Sequence, residues 1–312
     1  MSNSTLSVSV VMATYNGDKF LAAQLDSIIQ QTMPADEILI IDDCSTDGTV
    51  EIIRAYQQLH GNIRLLLNSS NQGSSRTFEA ALHSSKGDLI FISDQDDIWV
   101  ANKVETMVND WEVHRAGLTC SDGCIVDKYG VQRAPSELEF WGHKKPLNTQ
   151  ESLFFVNCYS GHNMMLSKDF IRLAQPFPAG PVYDHWLVVA ACGLGQLRYL
   201  PIALTQHRIH DHNQVNGANK SRPRKNKRAR FQSSRNALYH LAKAVISLPG
   251  EQPAKHLATL LLKHSAASHT IFSFTTFLNL LRMRKLLFPN DSLKKMLRKT
   301  KNYSLGPLGY FL

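Results

Sequence analysis

The chain has 312 residues, of which 43% are hydrophobic and 9% aromatic. This composition suits a packed core and argues against intrinsic disorder, and the length allows one large domain or a domain with an appended subdomain. We find no basic N-terminal segment followed by an apolar run and a small-residue cleavage site. Secretion is therefore not predicted, and we expect a cytoplasmic protein.

Charge is distributed unevenly along the chain. The net charge is +8, but residues 1–200 hold 14 Lys and Arg against 23 Asp and Glu, whereas residues 201–312 hold 20 against 3. An acidic body followed by a strongly basic region favours contact between that region and a polyanion, either nucleic acid or an anionic membrane surface.

Short apolar runs predict four strands, and helical spacing of apolar residues predicts helices between them. One helix stops before Pro34, a second follows the turn signal at residues 45–48, and a third spans residues 74–85. This alternation predicts a Rossmann-like α/β fold, with a mainly parallel sheet flanked by helices and ligands beyond the carboxyl ends of its strands. The predicted strands are residues 6–13, 37–41, 63–67 and 89–93.

Polar clusters follow three of these strands, so we expect them to face one crevice. No Gly-rich dinucleotide motif follows the first strand and no P-loop motif occurs, which argues against a dinucleotide-binding oxidoreductase and a P-loop enzyme. The clusters are Thr14, Tyr15, Asn16 and Gly17 after the first strand, Asp42 and Asp43 after the second, and Asp94, Asp96 and Asp97 after the fourth.

The three carboxylates after the fourth strand need a partner for their charge. Mg²⁺ binds one or two carboxylates together with the phosphates of a substrate, so one interpretation is a divalent cation that holds a nucleotide diphosphate. The other is a helix start, because Asp favours helix N-termini. Asp97 suits that second interpretation well.

Four motifs together resemble the family 2 glycosyltransferases of the GT-A fold, over roughly the first two-thirds of the chain. Further segments resemble bacterial rhamnosyltransferases of surface-polysaccharide assembly, namely Asp94-Gln-Asp-Asp-Ile-Trp99, Tyr183-Asp-His-Trp186 and His207-Arg-Ile-His210. The four motifs are Val10-Val-Met-Ala-Thr-Tyr-Asn-Gly17, Ile40-Ile-Asp-Asp-Cys-Ser-Thr-Asp-Gly-Thr49, Asn71-Gln-Gly73 and Ser93-Asp-Gln-Asp-Asp-Ile-Trp99.

The resemblance implies a nucleotide site at the ends of the first two strands. Thr14, Tyr15 and Asn16 would line the base and ribose pocket. Asp43, with Asp42 beside it, would accept hydrogen bonds from the base or ribose. Both aspartates are also of the type that starts a turn.

The resemblance further implies that Asp96 is a ligand of Mg²⁺ or Mn²⁺. Asp94 would reach the sugar or ribose, and Asp97 would contact the donor or support the site from behind. Residues i and i+2 of an extended segment project to the same side, which lets Asp94 and Asp96 converge. Arg76 stands where relatives carry a cationic or polar residue near the nucleotide, or it is a solvated helix residue.

Later segments would supply the base and the remaining ligands. Asp184 stands just before the apolar helical run 186–192, where relatives place the general base, although an N-cap is the other reading of that position. Arg208 would bind phosphate, and His210 would complete the metal shell. Residues 161–166 look like the segment that backs the acceptor and donor-sugar pocket.

The C-terminal third is basic and helical in pattern. Residues 220–230 hold seven cationic side chains and no acidic one, which suits a solvated linker or a phosphate contact. Residues 265–281 lack formal charges but are too polar for a spanning helix. Basic clusters beside apolar faces favour the interface of an anionic membrane, and packing of these helices on the catalytic domain is the alternative.

The sequence thus predicts an inverting, metal-dependent glycosyltransferase, with a GT-A domain at residues 1–217 and a basic helical extension at 218–312. By resemblance, a nucleotide-sugar donor, dTDP-rhamnose, would serve a lipid-linked glycan acceptor in O-antigen or capsule synthesis, at the inner face of the cell membrane. A UDP- or GDP-sugar is the alternative donor. A nucleic-acid-binding protein is the alternative from another class, but no nucleic-acid-binding motif appears and we do not expect that partner.

Overall fold

The computed structural model describes residues 6–211, 213, 227–266 and 273–304. The described residues form two compact units. The first is drawn from Met1–Trp141, Tyr159–Gln175 and Leu197–Asn219, and the second from Gly142–Cys158, Pro176–Gln196 and Lys220–Leu312. Two internal segments of the predicted catalytic domain therefore group with the C-terminal residues. The predicted domain division at residues 217 and 218 stays a prediction.

The first unit begins with four parallel strands, β1 (Val8–Thr14), β2 (Glu37–Asp42), β3 (Ile63–Leu67) and β4 (Leu89–Ser93). They pair in the order β3-β2-β1-β4, and Thr14 stands opposite Asp42 while Met12 stands opposite Ser93. The carboxyl ends of β1, β2 and β4 therefore share one edge, as the sequence predicts. Each predicted strand agrees with the structure to within two residues at either end.

Five further strands continue the same sheet. They are β5 (Ile98–Trp99), β6 (Leu118–Asp127), β7 (Gln132–Ala134), β8 (Met164–Ser167) and β9 (Leu197–Ile209). The order is β3-β2-β1-β4-β8-β6-β9-β5, with β7 paired to β6. The predicted α/β fold is confirmed, but the sheet is mixed beyond β4 because β8 runs antiparallel to both β4 and β6.

Helices and one 3₁₀ turn connect these strands and build the second unit. In chain order the helices are α1 (Asp18–Ile29), α2 (Thr49–Leu59), α3 (Ser74–Ser84), α4 (Lys103–His114), α5 (Glu137–Phe140), α6 (Gln150–Phe155), α7 (Lys168–Ala174), α8 (Tyr183–Gly193), α9 (Lys227–Ser247), α10 (Lys255–Ala266), α11 (Phe274–Arg282), α12 (Arg284–Leu287) and α13 (Leu293–Ser304), with the 3₁₀ turn at Gly161–Asn163.

The core of the first unit lies between the parallel strands and the helices α1, α2 and α4. Leu21, Leu25 and Ile28 form the buried stripe of α1, and they pack in one cluster with Val10 and Phe91 from β1 and β4. Three- and four-residue spacing places such residues on one helix face. The apolar core thus fixes the strand ends that carry the polar clusters.

In the second unit, α8 is buried along most of its length because its run 186–191 is apolar on every face. The Gln150 amide at the start of α6 donates to the Val189 carbonyl (3.2 Å) and to Gln252 (2.8 Å). Gln150 also accepts a hydrogen bond from the Ala254 N–H (2.9 Å). One buried amide therefore ties α6 to α8 and to the residues before α10.

No helix among the described residues has both the length and the apolarity to cross a bilayer. The predicted basic linker falls mostly on residues 220–226, and part of the predicted interfacial segment falls on 267–272. Both stretches lie outside the described residues.

Candidate active site

The carboxylates that follow β4 are brought together, but they differ in exposure. The side chain of Asp94 is 41% exposed, that of Asp96 17% and that of Asp97 1%. A ligand therefore has access to Asp94 and Asp96 at the carboxyl edge of the sheet. Asp97 lies behind them.

Asp96 is paired with the imidazole of His210, the other predicted metal ligand. His210 Nε2 lies 2.8 Å from Asp96 Oδ2, and the Asn213 amide donates to the same oxygen at 3.3 Å. The His210 ring packs on the Phe20 ring with centroids 4.7 Å apart. The structure thus unites two residues that are 114 positions apart. Their role as metal ligands stays a prediction.

Asp97 faces protein groups with both carboxylate oxygens. Oδ1 accepts a hydrogen bond from the Arg208 backbone N–H (3.1 Å), and Oδ2 lies 3.4 Å from His162 Nδ1. Burial raises the pKa of Asp97 to about 6, although the nearby His162 and His207 oppose that rise. These contacts indicate that Asp97 holds neighbouring site residues in place and does not contact a donor directly.

Glu137, which the sequence analysis missed, is the centre of a buried hydrogen-bond network. Oε1 accepts from Ser160 Oγ (2.6 Å) and from the Trp141 indole (3.3 Å), and it lies 2.9 Å from His207 Nδ1. Oε2 accepts from the Asn163 amide (2.8 Å) and lies 3.0 Å from His162 Nε2. Five partners therefore hold one carboxylate.

His162 bridges this network to the carboxylates after β4. One ring nitrogen lies 3.0 Å from Glu137, and the other lies 3.2 Å from Asp94 Oδ2. Burial disfavours charge on His162, but the Asp97 and Glu137 carboxylates outweigh it and hold its pKa well above the usual value. Burial likewise works against the Glu137 anion, yet His162 and His207 hold its pKa well below the usual value. The carboxylates on both sides of the imidazole thus favour its protonated form.

Lys103 is a buried basic residue that the sequence analysis did not identify. Its ammonium donates to the His162 carbonyl (2.6 Å) and to Thr205 Oγ1 (2.8 Å), and it lies 4.2 Å from the centroid of the Trp99 ring. Burial lowers the pKa of Lys103 to about 7 against the opposing pull of Asp97, Asp94 and Glu137. The signal in the sequence was a Lys four residues before Met107 on α4, which places both side chains on the same buried helix face.

Arg208 lies beside the same carboxylates, and its described contacts are with the protein. Nε donates to the Asp96 backbone oxygen (3.1 Å), and the guanidinium stands 5.0 Å from the Phe20 ring centroid. These contacts orient the side chain next to Asp96. Its predicted contact with phosphate stays a prediction.

The ends of β1 and β2 are joined by side-chain hydrogen bonds. Asp42 accepts from Thr14 Oγ1 (2.9 Å) and from the Ser45 N–H (2.9 Å), so it starts the turn after β2, which was the structural alternative. Asn16 has a positive φ of 49° and accepts from the Thr46 N–H (2.8 Å). The Tyr15 side chain is exposed.

Gln95 and Asp43 fix the backbone around these strand ends. The Gln95 amide accepts from the Tyr15 N–H (2.9 Å) and donates to the Tyr15 carbonyl (3.2 Å). The Asp43 carboxylate accepts from the Gln72 and Gly73 N–H groups, each at 2.8 Å, and from Asn68 (2.7 Å). Asp43 therefore shapes the loop before α3. Its predicted contact with base or ribose stays a prediction.

Two other predicted site residues, Arg76 and Asp184, contact residues near them in the sequence. The exposed Arg76 side chain on α3 pairs with Glu79 at 2.7 Å, as a solvated helix residue would. Asp184 lies in the first turn of α8, in the second unit, and accepts from the His185 N–H (2.6 Å). The N-cap of α8 is Val182, so Asp184 is not the N-cap residue. Catalysis by Asp184 stays a prediction.

Within the part of the chain that the structure describes, two groups of three residues have ligand atoms close enough for one metal ion, Glu137 with His162 and His207, and Asp94 with Asp97 and His162. Both need His162 as a neutral ligand, whereas carboxylates on both sides favour its protonated form. We therefore interpret these groups as a charge network. Asp96 and His210, whose ligand atoms lie 2.8 Å apart, offer a carboxylate and an imidazole to a metal ion instead.

Gly123→Ala is expected to lower the free energy of unfolding by about 1–3 kcal/mol. A Cβ at Gly123, in the irregular middle of β6, would lie 2.9 Å from Glu137 Oε2 and 3.1 Å from the Thr205 carbonyl oxygen. Urea unfolding of both proteins measures the loss. Gly61→Ala is the matched control, because a Cβ there meets no atom within 4 Å. Equal losses in the two variants would contradict the close packing around Glu137.

More than half of the chain matches the sequence profile of one protein family. Residues 9–173 match the sequence profile described as Glycosyl transferase family 2. The chain belongs to this family. Membership in glycosyl transferase family 2 confirms the predicted enzyme class, and the matched residues include Asp94, Asp96, Glu137 and His162.

Several bacterial proteins that resemble this chain are named as sugar transferases. The dTDP-rhamnosyl transferase RfbG of Shigella flexneri is 29% identical over 231 residues, which are 70% of this chain and 77% of that protein. The UDP-Glc:alpha-D-GlcNAc-diphosphoundecaprenol beta-1,3-glucosyltransferase WfaP of Escherichia coli is 26% identical over 206 residues, or 65% and 77% of the two chains. The chain spans about half the length of two Bacillus subtilis relatives, 48% of one and 55% of the other.

Solved structures support the GT-A fold of this family 2 chain. S. aureus TarS 1–349, in complex with UDP-GlcNAc, superposes with a TM-score of 0.61 at 16% identity, covering 95% of this chain and 82% of that one. The mannosyltransferase PcManGT from Pyrobaculum calidifontis, in complex with GDP-Man and Mn²⁺, gives 0.54 at 18% identity, covering 96% and 86%. The predicted GT-A fold is confirmed.

Proposed function

We propose that this protein transfers a sugar from a nucleotide-activated donor to a hydroxyl group of a glycan, with inversion at the anomeric carbon. The arrangement of carboxylates at the end of β4 is the main support for this proposal. There Asp94 and Asp96 are accessible to a ligand, and Asp96 is paired with His210 at 2.8 Å. A nucleotide diphosphate with its metal ion is the ligand whose chemistry suits that pairing.

The proposed donor is dTDP-rhamnose, and the proposed acceptor is a lipid-linked glycan of a bacterial surface polysaccharide. Support for the donor comes from the likeness to the dTDP-rhamnosyl transferase RfbG, which extends over 70% of this chain. Support for the acceptor comes from WfaP, whose name specifies a sugar on diphosphoundecaprenol. A UDP- or GDP-sugar remains the alternative donor, since TarS and PcManGT were solved with such donors.

Asp96 and His210 would hold Mg²⁺ or Mn²⁺, and Asp94 would reach the sugar or ribose of the donor. Carboxylate oxygens suit both ions. The bound cation would neutralise negative charge on the departing diphosphate. The hydrogen-bond networks around Asp97 and Glu137 support this site, because the His162 imidazole lies between the Asp94, Asp97 and Glu137 carboxylates and offsets part of their negative charge.

Other residues would bind the diphosphate and the nucleoside and would act as the general base. The Arg208 guanidinium, oriented by the Asp96 backbone oxygen, would add positive charge next to the diphosphate. Thr14, Tyr15, Asn16 and Asp43 would position the nucleoside. Asp184 would accept the proton of the acceptor hydroxyl, since inversion by a single displacement needs one carboxylate base. That last assignment rests on the resemblance.

An anionic membrane surface is the proposed location of the lipid-linked acceptor. In the second unit, α13 exposes Leu293 and Leu297 together with the cations Lys294, Arg298 and Lys301. Apolar side chains beside cations suit the boundary between lipid headgroups and acyl chains. Each cation near such a surface contributes about 1 kcal/mol of attraction. We therefore propose peripheral attachment to the inner face of the membrane.

Calorimetric titration with UDP-, GDP- and dTDP-sugars tests this function. We expect dTDP-rhamnose to bind when Mg²⁺ or Mn²⁺ is present, and we expect its affinity to fall at least tenfold when EDTA removes the metal. Binding of a UDP- or GDP-sugar alone would contradict the proposed donor but not the enzyme class. If no nucleotide sugar binds with either metal, the proposed function is wrong.

A further inference from the structure

Two large aromatic side chains lie exposed side by side at the end of α5. Phe140 is 43% exposed and Trp141 38%, and their ring centroids are 4.8 Å apart at an interplanar angle of 79°. The structure describes all four tryptophans of the chain, and Trp141 is the only exposed one. We call Phe140 and Trp141 the aromatic shelf. Adjacent exposed aromatic rings are typical of binding surfaces.

The aromatic shelf stands on a backbone that several hydrogen bonds hold in place. Ser136 caps α5 by accepting from the Glu139 N–H (3.2 Å), and its own hydroxyl donates to Asp122 Oδ2 (2.6 Å). Asp122 Oδ1 accepts from the Leu138 N–H (3.2 Å). The shelf is thus fixed to β6. A ligand would lose little affinity to ordering these rings.

Hydrogen bonds also link the aromatic shelf to the carboxylates after β4. The Trp141 indole N–H donates to Glu137 Oε1 (3.3 Å), and Glu137 Oε2 lies 3.0 Å from His162 Nε2. The other nitrogen of His162 lies 3.2 Å from Asp94 Oδ2. Two side chains therefore connect Trp141 to the most exposed of the three carboxylates. This continuity within the first unit favours a ligand that reaches the proposed donor site.

We propose that the aromatic shelf is a subsite for a pyranose ring of the acceptor glycan. The C–H faces of a pyranose pack well on aromatic rings, while its hydroxyl groups lie at the edge and need polar partners. Glu139, exposed and adjacent to Phe140, offers such a carboxylate. The subsite rests on the proposed function, because it serves as the acceptor side of that transfer.

Titration with methyl α-pyranosides of rhamnose, glucose, galactose and N-acetylglucosamine tests the subsite. In the wild-type protein we expect a saturable change in tryptophan fluorescence with a dissociation constant of roughly 1–50 mM for at least one sugar. Trp141→Phe should keep most of the binding but lose most of the fluorescence change. Trp141→Ala and Phe140→Ala should weaken binding about tenfold, measured by saturation-transfer NMR. The two alanine variants remove different rings, so one of them suffices if the other does not fold.

Tyr129→Ala is the matched control, because Tyr129 is an exposed aromatic residue of the same unit outside the aromatic shelf. It should bind every pyranoside as the wild type does. No saturable change in the wild type up to about 100 mM sugar, or equal affinities in Trp141→Ala and wild type, would overturn the subsite. Nucleotide-sugar titration of the same preparations separates the two proposals. Retained donor binding leaves the proposed function standing when the subsite fails, whereas lost donor binding in the wild type contradicts the function itself.

Discussion

Asp96→Asn should lower kcat/KM by at least about a hundredfold and remove the metal dependence of donor binding. The substitution keeps the size of the side chain and an oxygen that can accept from Asn213, but it removes the negative charge that faces His210. A divalent cation held as proposed would lose its principal anionic ligand as a result. Initial rates of transfer, together with donor titrations with and without Mn²⁺, measure both effects.

The fold should survive this change, since Asp96 is partly exposed and asparagine keeps an oxygen that can accept from Asn213. Asp169→Asn is the matched control, because it neutralises an exposed carboxylate on α7 that pairs with Arg172. Its rate should equal that of the wild type. Full activity of Asp96→Asn would show that Asp96 is not an essential metal ligand.

The strands that carry the site are predictable because their sequences are simple. β2 and β4 are buried throughout and contain uninterrupted aliphatic or aromatic runs, as buried parallel strands do. Each run ends where acidic side chains begin, at Asp42 and Asp94. A polar residue at the end of an apolar strand marks the carboxyl edge of the sheet, where α/β proteins bind ligands. Convergence of Asp42, Asp43 and Asp94 at that edge therefore follows from the sequence.

The second half of the sheet is not predictable in the same way. Ser121, Asp122 and Gly123 interrupt the apolar pattern of β6, and the register of β6 with β9 shifts at these residues. That irregularity leaves room for the Glu137 carboxylate beside Gly123. The apolar pattern of β6 alone does not reveal this irregularity, because the side chain that needs the room, Glu137, lies on α5.

Glu137 itself looks like an ordinary surface residue in the sequence. Its partners Ser160, His162 and His207 lie 23, 25 and 70 positions away. A buried carboxylate is affordable when several donors converge on it, and that convergence is a property of the folded chain. The burial of Asp97 is likewise not evident from the sequence, because its partners His162 and Arg208 are far from it along the chain. The sequence marks acidic residues, but only the fold separates those that meet a ligand from those that support them.

Asp184→Asn should reduce turnover by about 10²–10⁴-fold while donor affinity stays unchanged. An amide cannot accept the proton of the acceptor hydroxyl, so the nucleophile is no longer activated. Donor binding depends on other residues, and calorimetric titration with the nucleotide sugar should give the wild-type constant. Single-turnover rates with saturating donor measure the lost chemical step directly.

A stability effect must be separated from this catalytic one, because Asp184 lies in the first turn of α8 and a carboxylate there interacts favourably with the helix N-terminus. Asp169→Asn removes the same kind of charge from the first turn of α7. Both variants should lose at most about 1 kcal/mol of unfolding free energy, yet only Asp184→Asn should lose turnover. Near-normal transfer by Asp184→Asn would mean that another residue is the base. Loss of donor affinity in the same variant would instead assign Asp184 to substrate binding.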